Sequence, residues 1–150
     1  MKRSERMAPV KQVLGSAERD RAREVGATQK ALDEAEARLL DLQQYHLDYL
    51  KDFQQRAKAG QNALALRDYQ QFLARLQEAV KQQEQVVAQA RDAVASSTQR
   101  WQGAARRVKA IDSVVDKWQR EEGRSAARIE QKVIDERAQR PVMGSGKGAV

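Results

Sequence analysis

A heptad repeat runs through residues 69–118 without a slip. Apolar side chains recur there at alternating steps of four and three residues, and the only polar exceptions are Gln83 and Ser97. A stripe that repeats every seven residues stays on one side of a slightly under-wound α-helix, so it must be buried against another helix. This seam consists of Tyr69, Leu73, Leu76, Val80, Gln83, Val87, Ala90, Val94, Ser97, Trp101, Ala104, Val108, Ile111, Val115 and Trp118.

A second stripe with the same spacing precedes the first and predicts another helix. Its firm part is Leu32, Ala35, Leu39, Leu42, His46, Tyr49 and Phe53. Its extrapolation towards the N-terminus is poorer and runs through Thr28, Val25, Arg21, Glu18 and Leu14. Gly15 and Gly26 each cost about 1 kcal/mol relative to Ala in a helix interior. We therefore expect this helix to be loose at its start, with Pro9 in its first turn and residues 1–8 frayed.

The segment from Lys58 to Asn62 is the only good turn between the two stripes. Gly60 can take the left-handed conformation that ends a helix, and the Asn62 side chain can cap the next one. Helices joined by so short a turn are antiparallel neighbours. The predicted fold class is therefore all-α, a long antiparallel two-helix coiled-coil hairpin whose second helix is longer than the first. In that hairpin Phe53 should lie near Tyr69.

The chain length is compatible with a single domain over residues 1–150. We expect a first helix at about 10–57, a turn at about 58–65, a second helix at about 66–136 and a disordered, glycine-rich tail at 141–150. The second helix should outrun the first beyond about Val108. The unpaired stretch 109–136 would then carry apolar side chains that invite a partner.

Composition restricts the class of protein further. Charged residues make up 33% and aromatic residues 5% of the chain, which suits long helices better than a thick globular core. There is no cysteine, so neither a disulfide nor a thiolate metal site is available. No stretch approaches the length of a membrane span, and the basic residues 1–10 lack the apolar run of a signal peptide. We expect a soluble, cytoplasmic protein.

The formal charge is +7, and the excess of Lys and Arg lies at the two ends of the chain. Basic ends can bind nucleic acid, an anionic membrane or an acidic protein surface, or simply form the solvated face of a coiled coil. A nucleic-acid binder would show a steep salt dependence, although few aromatic residues are placed to stack bases. A structural or chaperone-like coiled coil that self-associates through residues 109–136 is a further alternative.

Nothing in the sequence indicates catalysis, a metal or a cofactor. His46, the only histidine, occupies a seam position without a cluster of metal-ligating residues, which favours a role in register. Gly144–Gly148 contains a Gly-Lys pair but lacks the spacing, the preceding strand and the following helix of a phosphate-binding loop. A two-helix hairpin also offers no water-excluding pocket.

The apolar surface near the turn is wider than a seam requires. All three tyrosines and both phenylalanines fall within residues 45–72. Because a two-stranded seam buries only a narrow stripe of each helix, some of these rings must lie at its flank. They either thicken the core beside the turn or form a tyrosine-rich surface that docks a partner.

The residues around the turn resemble those of the FliJ family, the small coiled-coil component of the bacterial flagellar type III export apparatus. The resemblance rests on Leu42-x-x-Tyr45-x-x-x-Tyr49 and on Tyr69-Gln70-Gln71-Phe72-x-x-x-Leu76-x-x-Ala79. Trp101, Trp118 and the basic extension of the second helix support it less specifically. The motifs cover residues 42–79, whereas length and architecture match over nearly the whole chain.

The resemblance implies a non-enzymatic, stalk-like adaptor. Members of this family fold as a long antiparallel coiled coil similar to the central stalk of rotary ATPases. They link the hexameric export ATPase to the cytoplasmic domain of the membrane export gate and help to recycle export chaperones. It also implies a role in flagellum biogenesis, and through it in motility and chemotaxis. The expected location is the cytoplasm, peripherally associated with the inner-membrane export apparatus.

The resemblance also assigns binding residues. The surface that contacts the gate, here named the tip patch, comprises Leu42, Tyr45, Tyr49, Phe72, Leu76 and Ala79. Gln83 is the next position along this face and is included in the expected gate-binding set, and Arg38 is the position before Leu42. The ATPase should contact the end that carries the chain termini, where Arg106 and Arg107 are the candidates.

Overall fold

The chain folds as a helical hairpin in a computed structural model that describes residues 1–140. The helices are α1 (Arg3–Arg6), α2 (Ala8–Lys58) and α3 (Ala63–Gln139). The prediction of an all-α antiparallel hairpin with a longer second helix is confirmed. The segments expected to be helical, 10–57 and 66–136, lie inside α2 and α3. The tail expected at 141–150, with its Gly144–Gly148 segment, falls outside the described residues.

The helices divide between two compact units. One unit is Ser16–Ala105, in which the second part of α2 pairs with the first part of α3 across the turn. The other unit joins Met1–Gly15 to the part of α3 that begins at Arg106. None of the helices within residues 1–140 is long and apolar enough to cross a membrane.

The seam is buried as its heptad spacing predicts. Every position of the repeat from Tyr69 to Trp118 is buried or half-buried. In Ser16–Ala105 the core forms around Leu32, Ala35 and Val87, and Val87 is only 3% exposed. The poorer stripe at the start of α2 is also turned inward, except at Arg21, which is exposed.

Polar residues in the two stripes form hydrogen bonds across the helix pair. The hydroxyls of Thr28 and Ser97 lie 2.8 Å apart, and Ser97 is completely buried. The indole N–H of Trp101 donates to Glu18 Oε1 at 2.8 Å. Thr28 and Glu18 are polar residues in an apolar stripe. They are accommodated there because each meets a polar atom of α3. Such paired polar layers favour one register of a coiled coil over others.

The hydroxyl pair leads to a first prediction. Thr28→Val and Ser97→Ala, combined in a double-mutant cycle, should show a coupling free energy of about 0.5–1.5 kcal/mol, the net value of a typical hydrogen bond. Urea unfolding of the four chains measures it. Thr28→Val paired with Ser96→Ala, the exposed neighbouring serine, serves as control and should show no coupling. Equal coupling in both cycles would mean that the hydroxyl contact contributes nothing.

The turn has the geometry that its residues predict. Gly60 has a φ of 77°, a conformation that side chains rarely adopt. The N–H groups of Gly60 and Gln61 donate to the carbonyls of Ala57 and Arg56, which is the Schellman pattern that ends a helix. Asn62 Oδ1 accepts the Ala65 N–H at 2.8 Å and caps α3. Both capping predictions are confirmed.

The N-terminus contradicts the expectation that residues 1–8 fray. Ser4 is buried, and its backbone N–H and Oγ donate to the Glu122 carboxylate at 3.2 and 2.6 Å. Arg3 pairs with Glu121 at 3.1 Å, and its guanidinium lies 4.9 Å from the centroid of the Trp118 ring. The Glu5 carboxylate accepts the Lys2 N–H at 3.2 Å and caps α1 locally. The prediction was wrong because Glu122, on another helix, adds contacts to α1 that local sequence does not reveal.

The uncovered part of α3 is correspondingly shorter than expected. Within the unit formed by Met1–Gly15 and the chain from Arg106, Lys11 pairs with Asp112 at 3.0 Å, and Val115 is buried. Within 109–122 the seam side, at Ile111, Val115 and Trp118, is thus buried or half-buried rather than free. Only the stretch from Gly123 to Gln139 is exposed at every position.

Candidate functional site

Four aromatic rings interleave between α2 and α3 beside the turn. The Tyr49 ring centroid lies 4.7 Å from that of Phe72 and 5.9 Å from that of Tyr69. The Phe53 and Tyr69 rings stack at 6.3 Å, which confirms that these two residues are neighbours. Aromatic contacts of this kind add about 0.5–1.5 kcal/mol beyond the area that they bury. The aromatic residues therefore help to hold the helices together near the turn.

The tip patch combines two exposed aromatic rings with four half-buried side chains. Tyr45 is 59% exposed and Phe72 is 39% exposed. The other members are half-buried, namely Leu42, Tyr49, Leu76 and Ala79. The interpretation that the rings thicken the core holds for Phe53 and Tyr69, which pack between the helices. Tyr45 and Phe72 offer apolar surface to solvent, and the docking of a partner on them stays a prediction. A partner could gain buried area here without disrupting the seam.

A charged network holds Tyr69 in place behind the patch. The Tyr69 hydroxyl donates to Asp52 Oδ2, which also accepts from Arg56 Nε at 3.2 Å. The Arg56 guanidinium lies 5.1 Å from the Tyr69 ring centroid. The hydrogen bond from Tyr69 lowers the pKa of the Asp52 carboxyl, and the same bond raises the pKa of the Tyr69 hydroxyl. Because Tyr69 packs on Tyr49, this network restrains the ring at the centre of the patch.

Sequence reasoning missed the roles of Asp52 and Arg56. Their spacing of four residues on one helix does signal an ion pair. What the spacing does not reveal is that Tyr69, on the other side of the turn, completes the network.

The α2 border of the patch is acidic. A shallow depression beside Tyr45 is lined by Asp41, Gln44 and Asp48. Asp48 accepts a hydrogen bond from Gln44 Nε2 at 3.0 Å. Tyr45 is therefore a largely exposed ring bordered by carboxylates.

Gln83 is placed differently from the other expected gate-binding residues. It is 9% exposed, and its side-chain amide donates to the backbone carbonyl of Ala35 at 3.0 Å. Its side chain is therefore occupied within the seam. Arg38, by contrast, is exposed and borders the same depression as Gln83.

Arg106 and Arg107 belong to the other unit. Both are exposed, and neither forms an ion pair with another residue in the range 1–140. Their charges are thus available to an anionic surface. Geometry alone does not distinguish them from other exposed arginines of α3.

A groove in the unit Ser16–Ala105 lies away from the tip patch. It has a volume of about 500 Å³ and is lined by Gln43, His46, Leu47, Gln77, Val80, Lys81 and Glu84. Leu47 lies two residues from Tyr45, or about 200° around the helix, so the groove opens on the other flank of α2. His46 borders this groove. No group of three or more potential metal ligands occurs among the residues described.

Comparison with known proteins identifies the family. The chain matches the family model described as flagellar FliJ protein over residues 2–147. No curated protein and no solved structure matched the chain. The family match spans nearly all of the sequence, including both helices and the turn that joins them. The chain therefore belongs to the FliJ family and is a component of the flagellar protein export apparatus.

Proposed function

We propose that this protein is a stalk-like adaptor without catalytic activity of its own, which links the export ATPase ring to the membrane export gate. The observation that carries the proposal is the tip patch, where Tyr45 and Phe72 are exposed beside the half-buried Tyr49. Large aromatic side chains on a surface are typical anchors of protein interfaces. The cytoplasmic domain of the gate is the partner assigned to this surface.

The gate contact is supported by the way in which the patch is built. The Tyr49 and Phe72 rings pack against each other, and the network of Asp52, Arg56 and Tyr69 restrains them from behind. A surface whose rings are already ordered loses little side-chain entropy when it binds. We exclude Gln83 from the contact surface because its amide is bonded inside the seam.

The ATPase contact is assigned to the unit that contains Met1–Gly15 and the chain from Arg106. Arg106 and Arg107 are exposed there, and the sequence has its basic excess at both ends. Basic side chains at the rim of an interface accelerate association with an acidic partner. Assistance to export chaperones and a peripheral location at the inner membrane are proposed on family membership.

Binding of the purified chain to the ATPase and to the gate domain tests this proposal. We expect wild type to bind both, and Arg106→Ala/Arg107→Ala to bind the ATPase roughly fivefold more weakly or worse at low salt while retaining gate binding. Arg67→Ala/Arg75→Ala removes two exposed arginines elsewhere and should leave ATPase binding unchanged. If wild type binds neither partner, the adaptor function is refuted.

A self-associating coiled coil is the second candidate. The uncovered stretch of α3 exposes Ile129 at 63% and Ile134 at 51%, and Val133 lies beside them. Two copies could pair through these side chains. A mass that rises from monomer to dimer with concentration would favour this function, and a constant monomer mass would reject it.

A further inference from the structure

A row of basic side chains runs along α3 in the unit that joins Met1–Gly15 to the part of α3 from Arg106. We propose that this row, here named the basic stripe, binds the anionic headgroups of a phospholipid membrane. The inference deepens the peripheral location that belongs to the proposed function, because it names what attaches the chain to the membrane. The stripe consists of Arg106, Lys117, Arg120, Arg124 and Arg128.

The stripe is straight because it has the spacing of the seam. Residues with alternating steps of four and three stay on one side of an under-wound helix. Val108 of the seam follows Arg106 by two residues, or about 200° around the helix, so the stripe points away from the seam. It extends about 33 Å from Arg106 to Arg128. The positions in the row are Arg106, Ala110, Ser113, Lys117, Arg120, Arg124 and Arg128.

The charges of the stripe are available to a partner. All five basic side chains are exposed, and none of them forms an ion pair with another residue in the range 1–140. The uncharged positions of the row are the small residues Ala110 and Ser113, which leave the longer basic side chains outermost. Asp116 and Glu121 lie beside the row rather than in it, and Glu121 pairs with Arg3. Positive charge therefore dominates this side of α3.

The chemistry of the stripe selects an extended anionic surface. The row contains no aromatic side chain to stack a base and no large apolar side chain to anchor a protein interface. Because its cations lie in line, a flat layer of headgroup charges contacts all of them at once. Each basic side chain beside an anionic membrane strengthens binding by about fivefold. Protein export takes place at a membrane, so a component of the export apparatus works beside such a surface.

The stripe overlaps only partly with the proposed ATPase contact. It shares Arg106 with that contact, whereas Arg107 lies about 100° away around the helix. Lys117, Arg120 and Arg124 are therefore the residues to change, because their substitution leaves both of these arginines in place.

Binding of the full-length chain to lipid vesicles tests the stripe. At low salt we expect wild type to sediment with vesicles of equimolar phosphatidylglycerol and phosphatidylcholine, and to stay in solution with vesicles of phosphatidylcholine alone. Lys117→Gln/Arg120→Gln/Arg124→Gln should weaken binding to the anionic vesicles by roughly tenfold or more. Far-UV circular dichroism should show wild-type helix content, because all three positions are exposed.

The matched control is Arg67→Gln/Arg75→Gln/Lys81→Gln. It removes the same charge from exposed positions of the unit Ser16–Ala105. This control should weaken binding by less than about threefold, since screening limits the effect of each charge to its surroundings. Failure of wild type to bind the anionic vesicles, or equal losses in the two triple variants, overturns the stripe as a lipid site.

A fluorophore reports which side of α3 meets the lipid. Because the chain has no cysteine, Ser113→Cys places a single thiol in the middle of the stripe. Ser125→Cys places one at an exposed position about 100° around the helix from Arg124. An environment-sensitive dye should brighten on anionic vesicles at the first position and change little at the second. Equal brightening at both, or brightening at the second alone, contradicts binding through the stripe.

A short DNA duplex separates lipid from nucleic acid. If wild type binds the duplex more tightly than the anionic vesicles, and the stripe variant loses that binding, the stripe is a nucleic-acid site and the lipid assignment is overturned. We expect the opposite order of affinities. The vesicles contain neither the gate nor the ATPase, so a failure here is distinct from a failure of the adaptor function, which the binding test with those two partners decides.

Discussion

Tyr49→Ala/Phe72→Ala is expected to weaken binding to the cytoplasmic domain of the gate by roughly a hundredfold or more. Anchoring aromatic residues at interface centres contribute at least about 2 kcal/mol each when truncated, although such effects are not additive. These two rings are in contact with each other, 4.7 Å apart, and form the centre of the tip patch. Titration calorimetry with the purified gate domain measures the loss, and far-UV circular dichroism measures helix content, which should stay near that of wild type.

Two further variants separate binding from folding. Leu40→Ala/Leu47→Ala removes two exposed leucines from the other flank of α2 and should preserve gate affinity. Tyr45→Ala removes the most exposed ring of the patch and should weaken binding without a change in stability. A loss of helix content in the Tyr49/Phe72 variant would show that these rings serve the core, and weaker binding in the leucine variant would place the gate contact on the other flank.

Leu32→Ala is expected to lower the free energy of unfolding by about 2–5 kcal/mol, the range for deleting a buried leucine side chain. Leu32 packs with Ala35 and Val87, and Leu39 lies against the same cluster. Because this core is a single layer between two helices, there is little neighbouring side chain to fill the vacated space. Urea unfolding followed by circular dichroism measures the change.

The comparison for Leu32 lies on the same helix. Leu40→Ala deletes the same atoms at a position that is 66% exposed, and it should change the free energy of unfolding by less than about 0.5 kcal/mol. Equal losses in the two variants would mean that the cluster around Leu32 is not the core of this unit.

Prediction succeeded where the controlling interactions are local. The heptad spacing identified both helices and their buried sides because a helix presents residues three and four apart on one face. Gly60 and Asn62 identified the turn because their backbone and side-chain preferences act within a few residues. The flank position of Tyr45 followed from the same reasoning, because Tyr45 lies outside the heptad positions of α2.

Prediction failed where the partner of a polar group is distant in sequence. Glu122 contacts α1 from more than a hundred residues away, so the fraying expected for residues 1–8 was wrong. The exposed length of α3 was overestimated for the same reason. The sequence also did not reveal that the Gln83 amide donates to the Ala35 carbonyl in the seam, which is why Gln83 is left out of the proposed gate-binding surface.

The amino-acid sequence by itself determined the helices, the turn, the antiparallel pairing and the aromatic surface beside the turn. Each of these follows from periodicity or from the conformational preference of a single residue. The tertiary structure decided which polar side chains are used inside the molecule and which remain free for a partner. In the sequence Thr28 and Glu18 look like poor seam positions and Glu122 looks like a solvated side chain. They become internal hydrogen-bond partners only because the antiparallel register brings Ser97, Trp101 and Ser4 to them.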